Sequence, residues 1–364
     1  MKQFFILIML IQLLYSCKIE EKFIPKTFLE SKPERQISIV EIESIIEDSL
    51  LNVRALEVDK FGVGVFATSN GEVGLIQQDY FDSLKIKAEV PFKLSLDSLK
   101  LNFRALASTK NGGFVISIGS PSILFKINNK EKRVVYKEVH PKVFYDSMEF
   151  WNDKEGIAIG DPTEDCMSII ITRDGGESWT KLSCDVLPKA KEGEAAFAAS
   201  DSNIATFGDF TWVATGGKAS RVLVSPDKGK TWEVFDTPII QGKETTGMYS
   251  IDFYDSLNGF AIGGDYTKPD DNQSNKIRTI DGGKTWELVA QGKEPGYRSC
   301  VQYIPNRKGK ELVAIGFKGI DYSNDSGTTW KHLSDEGFYT IRFLNDSIAY
   351  AAGKGRISKL TFRE

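Results

Sequence analysis

The octapeptide TRDGGESW at Thr172–Trp179 returns as SPDKGKTW (Ser225–Trp232), TIDGGKTW (Thr279–Trp286) and SNDSGTTW (Ser323–Trp330). One template, Ser/Thr-x-Asp-x-Gly-x-Ser/Thr-Trp, therefore recurs, with its tryptophans 53, 54 and 44 residues apart. A motif returning at that period marks an array of equivalent supersecondary units, each too small to bury its own apolar face alone. The array constrains the fold tightly and the chemistry hardly at all.

Each copy follows a short β-prone run, such as Ser168–Thr172 or Ala219–Ser225, that reads as a strand. The Asp-x-Gly core supplies turn chemistry: the carboxylate accepts backbone N–H groups, and glycine tolerates the positive φ of a tight reversal. The Ser/Thr-Trp pair opens the next strand, where the indole packs on its own hairpin. Asp174, Gly176 and Trp179; Asp227, Gly229 and Trp232; Asp281, Gly283 and Trp286; and Asp325, Gly327 and Trp330 read as structural staples. Their frame resembles the Asp-box, or BNR repeat, of sialidases and related β-propellers, a repeat class that many non-hydrolytic propellers share.

A second pattern, strand–turn–strand with small and apolar residues, recurs ahead of these hairpins. Seven copies can be written: Asn52–Val65, Asn102–Ser117, Tyr145–Ile159, Glu194–Phe207, Met248–Ile262, Tyr297–Ile315 and Phe338–Ala351. The predicted architecture is all-β, a seven-bladed β-propeller with four-stranded antiparallel blades spanning residues 36–364. The seventh unit ends without room for a final strand, and Gln36–Ile42 is the natural donor, removing an exposed sheet edge. A six-bladed ring with the first unit reduced to an extension is the alternative. The order of pieces, most visibly GEAAFAAS, GGDYTKPD and GYRSCVQY, resembles the photosystem II stability/assembly-factor group of BNR propellers, non-photosynthetic bacterial members included. That resemblance implies a seven-bladed ring that binds partner proteins through an arginine-rich surface.

The N-terminus, MKQFFILIMLIQLLYSC, joins one early cation to an apolar run and ends in Leu14-Tyr15-Ser16-Cys17. It reads as a secretory signal, too short for a transmembrane span. The tetrapeptide resembles a bacterial lipobox, which implies a signal peptide at 1–16, lipidation of Cys17 and a polar tether at 17–35; an ordinary cleaved signal peptide is the other reading. Outer-membrane or cell-surface anchoring in a Gram-negative bacterium is the expected address. About 325 residues then remain, enough for one large repeat domain. A formal charge of −4 from 46 basic and 50 acidic residues gives no nucleic-acid surface. Cys166, Cys184 and Cys300 form an odd set without metal-ligand spacing; Cys166 with Cys184 could bridge across the third repeat's hairpin. With two histidines, His140 and His332, no metal is expected, and the absence of a strand–GxGxxG–helix unit argues against a nucleotide cofactor.

In a propeller the innermost strands line an axial channel. Aligning them places Arg54, Arg104, Asp146, Ala195, Tyr249, Arg298 and Tyr339 in one column, with Glu194 beside it. Three arginines suit carboxylate, phosphate or sulfate groups, so a protein partner or an anionic glycan or small ligand is expected at the axis. These side chains could equally satisfy one another in a wet channel. A second set, Asp161, Asp209 with Trp212, and Asp265 with Tyr266, falls in what read as long recognition loops, although Asp after Gly also builds turns. The rival reading is a sialidase-like or other glycoside hydrolase using Asp146, Glu194, Tyr249 and Tyr339 with the arginines. The sialidase Arg-Ile-Pro signature is absent, since Arg54 is followed by Ala55-Leu56.

Overall fold

The computed structural model describes residues 34–59, 61–78, 86–128 and 131–364. Cys17, the segment 1–16 and nearly all of 17–35 lie outside the described residues, and the compact unit runs from Arg35 to Glu364. Among the described residues there is no helix, and strands succeed one another in antiparallel order.

Seven four-stranded sheets form a propeller. Blade 2 comprises Phe103–Thr109, Gly112–Ser117, Ser122–Ile127 and Lys132–Glu138; blade 3 comprises Tyr145–Phe150, Gly156–Gly160, Ser168–Thr172 and Thr180–Lys181. Blade 4 is built from Ile204–Phe207, Phe210–Ala214, Arg221–Ser225 and Glu233–Asp236, and blade 5 from Thr246–Phe253, Gly259–Asp265, Lys276–Thr279 and Glu287–Leu288. Cys300–Tyr303, Leu312–Gly316, Gly319–Ser323 and Lys331–Ser334 make blade 6. Blades 7 and 1 share the 20-residue strand Ile39–Val58. Its first half pairs with Lys354–Arg363, outermost of the chain's last three strands, from Ile39 opposite Arg363 to Glu47 opposite Arg356. Its second half becomes the inner strand of blade 1, with Val58 opposite Gly64. The closing strand is therefore longer than Gln36–Ile42, and the first unit is a full blade, which removes the six-bladed alternative.

Inner strands begin on one face, called here the axial face, and end on the other. The four Asp-x-Gly-x-x-Trp hairpins lie on the second face and share one hydrogen-bond pattern. The Asp Oδ1 accepts the Ser/Thr backbone N–H four residues on (3.0, 2.8, 2.9 and 2.8 Å for Asp174, Asp227, Asp281 and Asp325). Oδ2 takes the hydroxyl of that same residue at 2.6–2.7 Å. Gly176, Gly229, Gly283 and Gly327 have φ near +80°, where a side chain would be strained. Trp232, Trp286 and Trp330 donate to the carbonyls of these glycines.

Blade-to-blade packing is apolar. Trp212 is fully buried, stacks on Phe253 at 3.6 Å, and donates Nε1–H to the Gly282 carbonyl. A disulfide joins Cys166 to Cys184, and Cys300 is a buried free thiol. Arg35 is ion-paired with Glu311 at 2.9 Å.

Candidate functional site at the axial face

Four residues of the expected column owe their position to one backbone device. Arg54, Arg104, Asp146 and Tyr249 are each skipped in the pairing of inner with second strand, at register shifts between Val53 and Ala55, Phe103 and Ala105, opposite Ile159/Gly160, and between Met248 and Ser250. A bulge of this kind re-aims the extra side chain, and here four of them crown the axis. Tyr339 completes the crown from blade 7, lying 4.0 Å below the Arg54 guanidinium.

Two members of the column are placed differently. Pairing registers put Ser299, not Arg298, level with Tyr249, because Cys300 faces Ile315 as Ser250 faces Ile262. Arg298 turns outward into blade 6, where Nε meets Asp321 at 2.6 Å and a terminal nitrogen donates to the Tyr297 carbonyl. Two arginines converge at the axis rather than three. Ala195 is not on the inner strand of blade 4 either, since that strand starts at Ile204 and Ala195 pairs with Gly216.

The segment preceding Ile204 instead crosses the hub. The carbonyls of Ala199 and Ala198 accept from Arg54 (3.1 Å) and Arg104 (3.4 Å). Ser200 binds blades 6 and 7 through Ser299 and Thr340. Asp201, at φ 56°, accepts the backbone N–H groups of Leu106 (2.8 Å) and Met148 (3.1 Å). The small-residue run of GEAAFAAS is therefore a plug across the channel, spliced to five other blades.

Arg54 and Arg104 form no ion pair among the described residues, and Arg54 Nε is buried without a partner. Burial, then the positive charge of Arg54, lowers Arg104 to about 10, so it stays charged at neutral pH. Beside them lies an aromatic ledge: Phe197 stacks on Tyr249 at 4.0 Å, Tyr297 meets Tyr249 edge-on at 4.8 Å, and Phe317 packs on Tyr297. Its outer members, Tyr266 and Phe317, are 48 % and 42 % exposed. Phe197, Tyr297 and Phe317 were not expected at the site; Phe197 and Tyr297 lie within two residues of a column position, whereas Phe317 follows the second strand of blade 6 and had no such signal.

The acids at this face are held in different ways. Glu194 is buried and gripped by Arg221 (2.6 and 3.1 Å), Thr215 and the Lys191 N–H. Asp146 is fully buried; burial and the neighbouring Asp161 hold it well above the usual range. Asp161 is raised to about 6 by burial, although it accepts the Ala196 N–H. Tyr249 donates to the Thr245 carbonyl, and burial raises its phenol.

The second expected set also divides. Asp161 and Asp265 follow the second strands of their blades and stand at the axial face; Asp265 caps its turn through Thr267. Asp209 precedes its second strand, so it lies in the inner hairpin turn on the opposite face, its carbonyl bound by Lys228 N–H and its carboxylate 3.3 Å from Lys228 Nζ. Trp212 is core, not recognition surface. Both displacements come from reading GDFTW as a loop after a strand when it is the turn before one.

A second ring was missed. One step further along the inner strands, Glu57, Glu149, Asp252, Gln302 and Arg342 stand at equivalent register positions. Glu57 pairs with Arg342 at 2.9 Å, and Arg342 also donates to the Asp201 carbonyl at 2.7 Å. The signal was available as RALE, DSME, YSID, SCVQ and YTIR, a polar residue three positions after the axial residue in five of the inner strands. Among the described residues no group of three or more His, Cys, Asp or Glu is placed to hold a metal ion.

No protein-family model matches the sequence, and no curated protein matches it. Solved structures do. A streptogramin B lyase structure has a TM-score of 0.64 at 16% identity, covering 91% of this chain and 100% of that one. A structure described as YCF48 bound to D1 peptide gives 0.61 at 15% identity, covering 91% and 99%. The WD40 repeats of RRP9 give 0.58 at 10% identity, covering 90% and 99%. The chain is similar to these in fold: it is a β-propeller.

Proposed function

We propose that the axial face is a binding site for an anionic segment of a partner protein, on an Asp-box propeller held at the cell envelope by lipid on Cys17. The observation that carries this reading is the pair of axial guanidiniums, Arg54 and Arg104, which form no ion pair among the described residues and donate only to neutral acceptors, the Asn102 side chain and the Ala198 and Ala199 carbonyls. Arginine forks left with free donors suit carboxylates, and the Tyr266–Phe317 ledge offers aromatic anchors of the kind that dominate interfaces. The peptide bound to the YCF48 propeller supports a peptide-sized occupant. Export is supported by the Cys166–Cys184 disulfide, which persists in oxidising compartments, together with the signal-like N-terminus. A glycan or small anion at the same arginines is the finer alternative. The hydrolase reading loses support because Glu194 is locked on Arg221 and Asp146 is sealed from solvent.

The test is selection of a random linear peptide library against the protein. Enriched peptides are expected to combine acidic with aromatic or aliphatic residues and to lose binding to Arg54→Ala/Arg104→Ala. Enriched peptides that bind the double variant undiminished contradict the reading.

A further inference from the structure

On the face opposite the arginines, a cavity of about 760 Å3 opens between blades 1 and 2. Its origin lies in the repeat. In blades 3, 5 and 6 the hairpin glycines Gly176, Gly283 and Gly327 press on a ring of the preceding blade, Phe114, Trp212 or Phe260, so closely that a Cβ would come within 2.1–2.9 Å. Blade 2 has no such hairpin, its third strand ending at Ile127 and its fourth starting at Lys132. The ring position of blade 1 is filled by Val65, paired with Glu57 as Phe260 is with Asp252. A missing staple and a small side chain at the same junction leave the wedge open.

Val65, Leu75, Phe92 and Ile127 make its walls apolar, while Glu57 and Glu149 reach it from the hub. Of these two carboxyl groups Glu57 is paired with Arg342 at 2.9 Å, whereas Glu149 has no ion pair among the described residues and feels the charges of Glu57, Asp201 and Asp252 behind the wall. An apolar pocket with a few convergent polar groups is the usual form of a small-molecule site, and this one has an excess of acid at its inner end.

We propose that this inter-blade wedge binds a small amphipathic organic cation, its alkyl body against the blade 1 and 2 side chains and its ammonium group on Glu149. Without such a guest, protons meet the acid excess: burial and then Glu57 raise Glu149 well above the usual range, and Asp201 rises to about 8 for the same reasons. An ammonium group beside Glu149 favours its anion, so binding within the raised range is coupled to release of a proton to solvent.

Calorimetric titration of the whole protein with hexylammonium, hexan-1-ol and hexanoate, in two buffers of different ionisation enthalpy, tests this. Hexylammonium is expected to bind at least about tenfold more tightly than hexanol, with proton release, and hexanoate more weakly than either. Glu149→Gln is expected to erase the preference for the amine while hexanol still binds, and Val63→Trp, at the wall, to abolish both. Equal binding of amine and alcohol, binding of hexanoate, or no binding of any probe to the wild type overturns the proposal. Should Glu149→Gln fail to fold, the three wild-type titrations alone decide. Since Arg54 and Arg104 lie on the other face, failure here leaves the peptide reading standing.

Discussion

Aspartates do opposite things at the hairpins and at the hub. Asp174, Asp227, Asp281 and Asp325 experience burial that raises their pKa, but hydrogen bonds from the following Ser or Thr outweigh it and hold each carboxyl below its usual range. Asp252 accepts two backbone N–H groups, from Phe253 and Tyr303, yet burial lifts it to about 6. Asp201 likewise has two N–H donors and sits near 8, raised by burial and then by Glu57. The donors are similar; the solvent is not. Removing water strengthens each hydrogen bond but penalises charge more, so the hairpin acids hold turns as anions well into the acid range, whereas the hub acids take up protons at higher pH, Asp252 near 6 and Asp201 near 8.

The comparison is sharpened first by core and hub substitutions. Trp212→Ala empties the blade 4–5 junction and is expected to destabilise by about 3–5 kcal/mol in urea unfolding, confirming it as core. Asp201→Ala strands two buried N–H donors and is expected to cost about 2–5 kcal/mol. Equal losses from Asp201→Ala and Asp325→Ala would erase the contrast.

The pH dependence separates the two regions by sign. A carboxyl with a raised folded pKa binds a proton more tightly folded than unfolded, so its stabilisation is present at low pH and lost as pH climbs. For Asp252 the window runs from the ordinary 3.8 to about 6, worth on the order of 3 kcal/mol. Asp252→Asn is expected to flatten unfolding stability across that window. Hairpin acids run the other way: Asp227→Asn is expected to reduce the loss of stability below pH 4 and leave the higher range unchanged. Next in size, Asp325→Ala removes a turn staple open to water and is expected to cost about 1–2 kcal/mol. Arg54→Ala gives up one carbonyl bond and the Tyr339 contact, and less than about 1 kcal/mol is expected.

The outer half of blades 3 to 6 was legible because its chemistry is local: Asp281 bonds residues two to four positions away, so eight letters contain the whole device. The hub was legible only in part. Arg54, Arg104, Asp146 and Tyr249 fell into line because the strand after each keeps its small-apolar signature. Arg298 slipped by one position because nothing local distinguishes it from Ser299, and in a strand one position reverses the face. The plug was invisible in principle, since Ala198–Asp201 are held by partners 53 to 145 residues away. The acidic ring was visible as an offset, but its meaning depends on seven strands converging.

The central claim is that two unpaired axial arginines receive an anionic peptide. Affinity of a library-selected acidic peptide for wild type, Arg54→Ala/Arg104→Ala and Asp209→Ala, measured at two salt concentrations, tests it most directly. The account predicts a loss of at least about a hundredfold in the double variant, wild-type affinity in Asp209→Ala, and salt sensitivity that disappears with the arginines. Undiminished binding by the double variant, with its salt dependence intact, would contradict it.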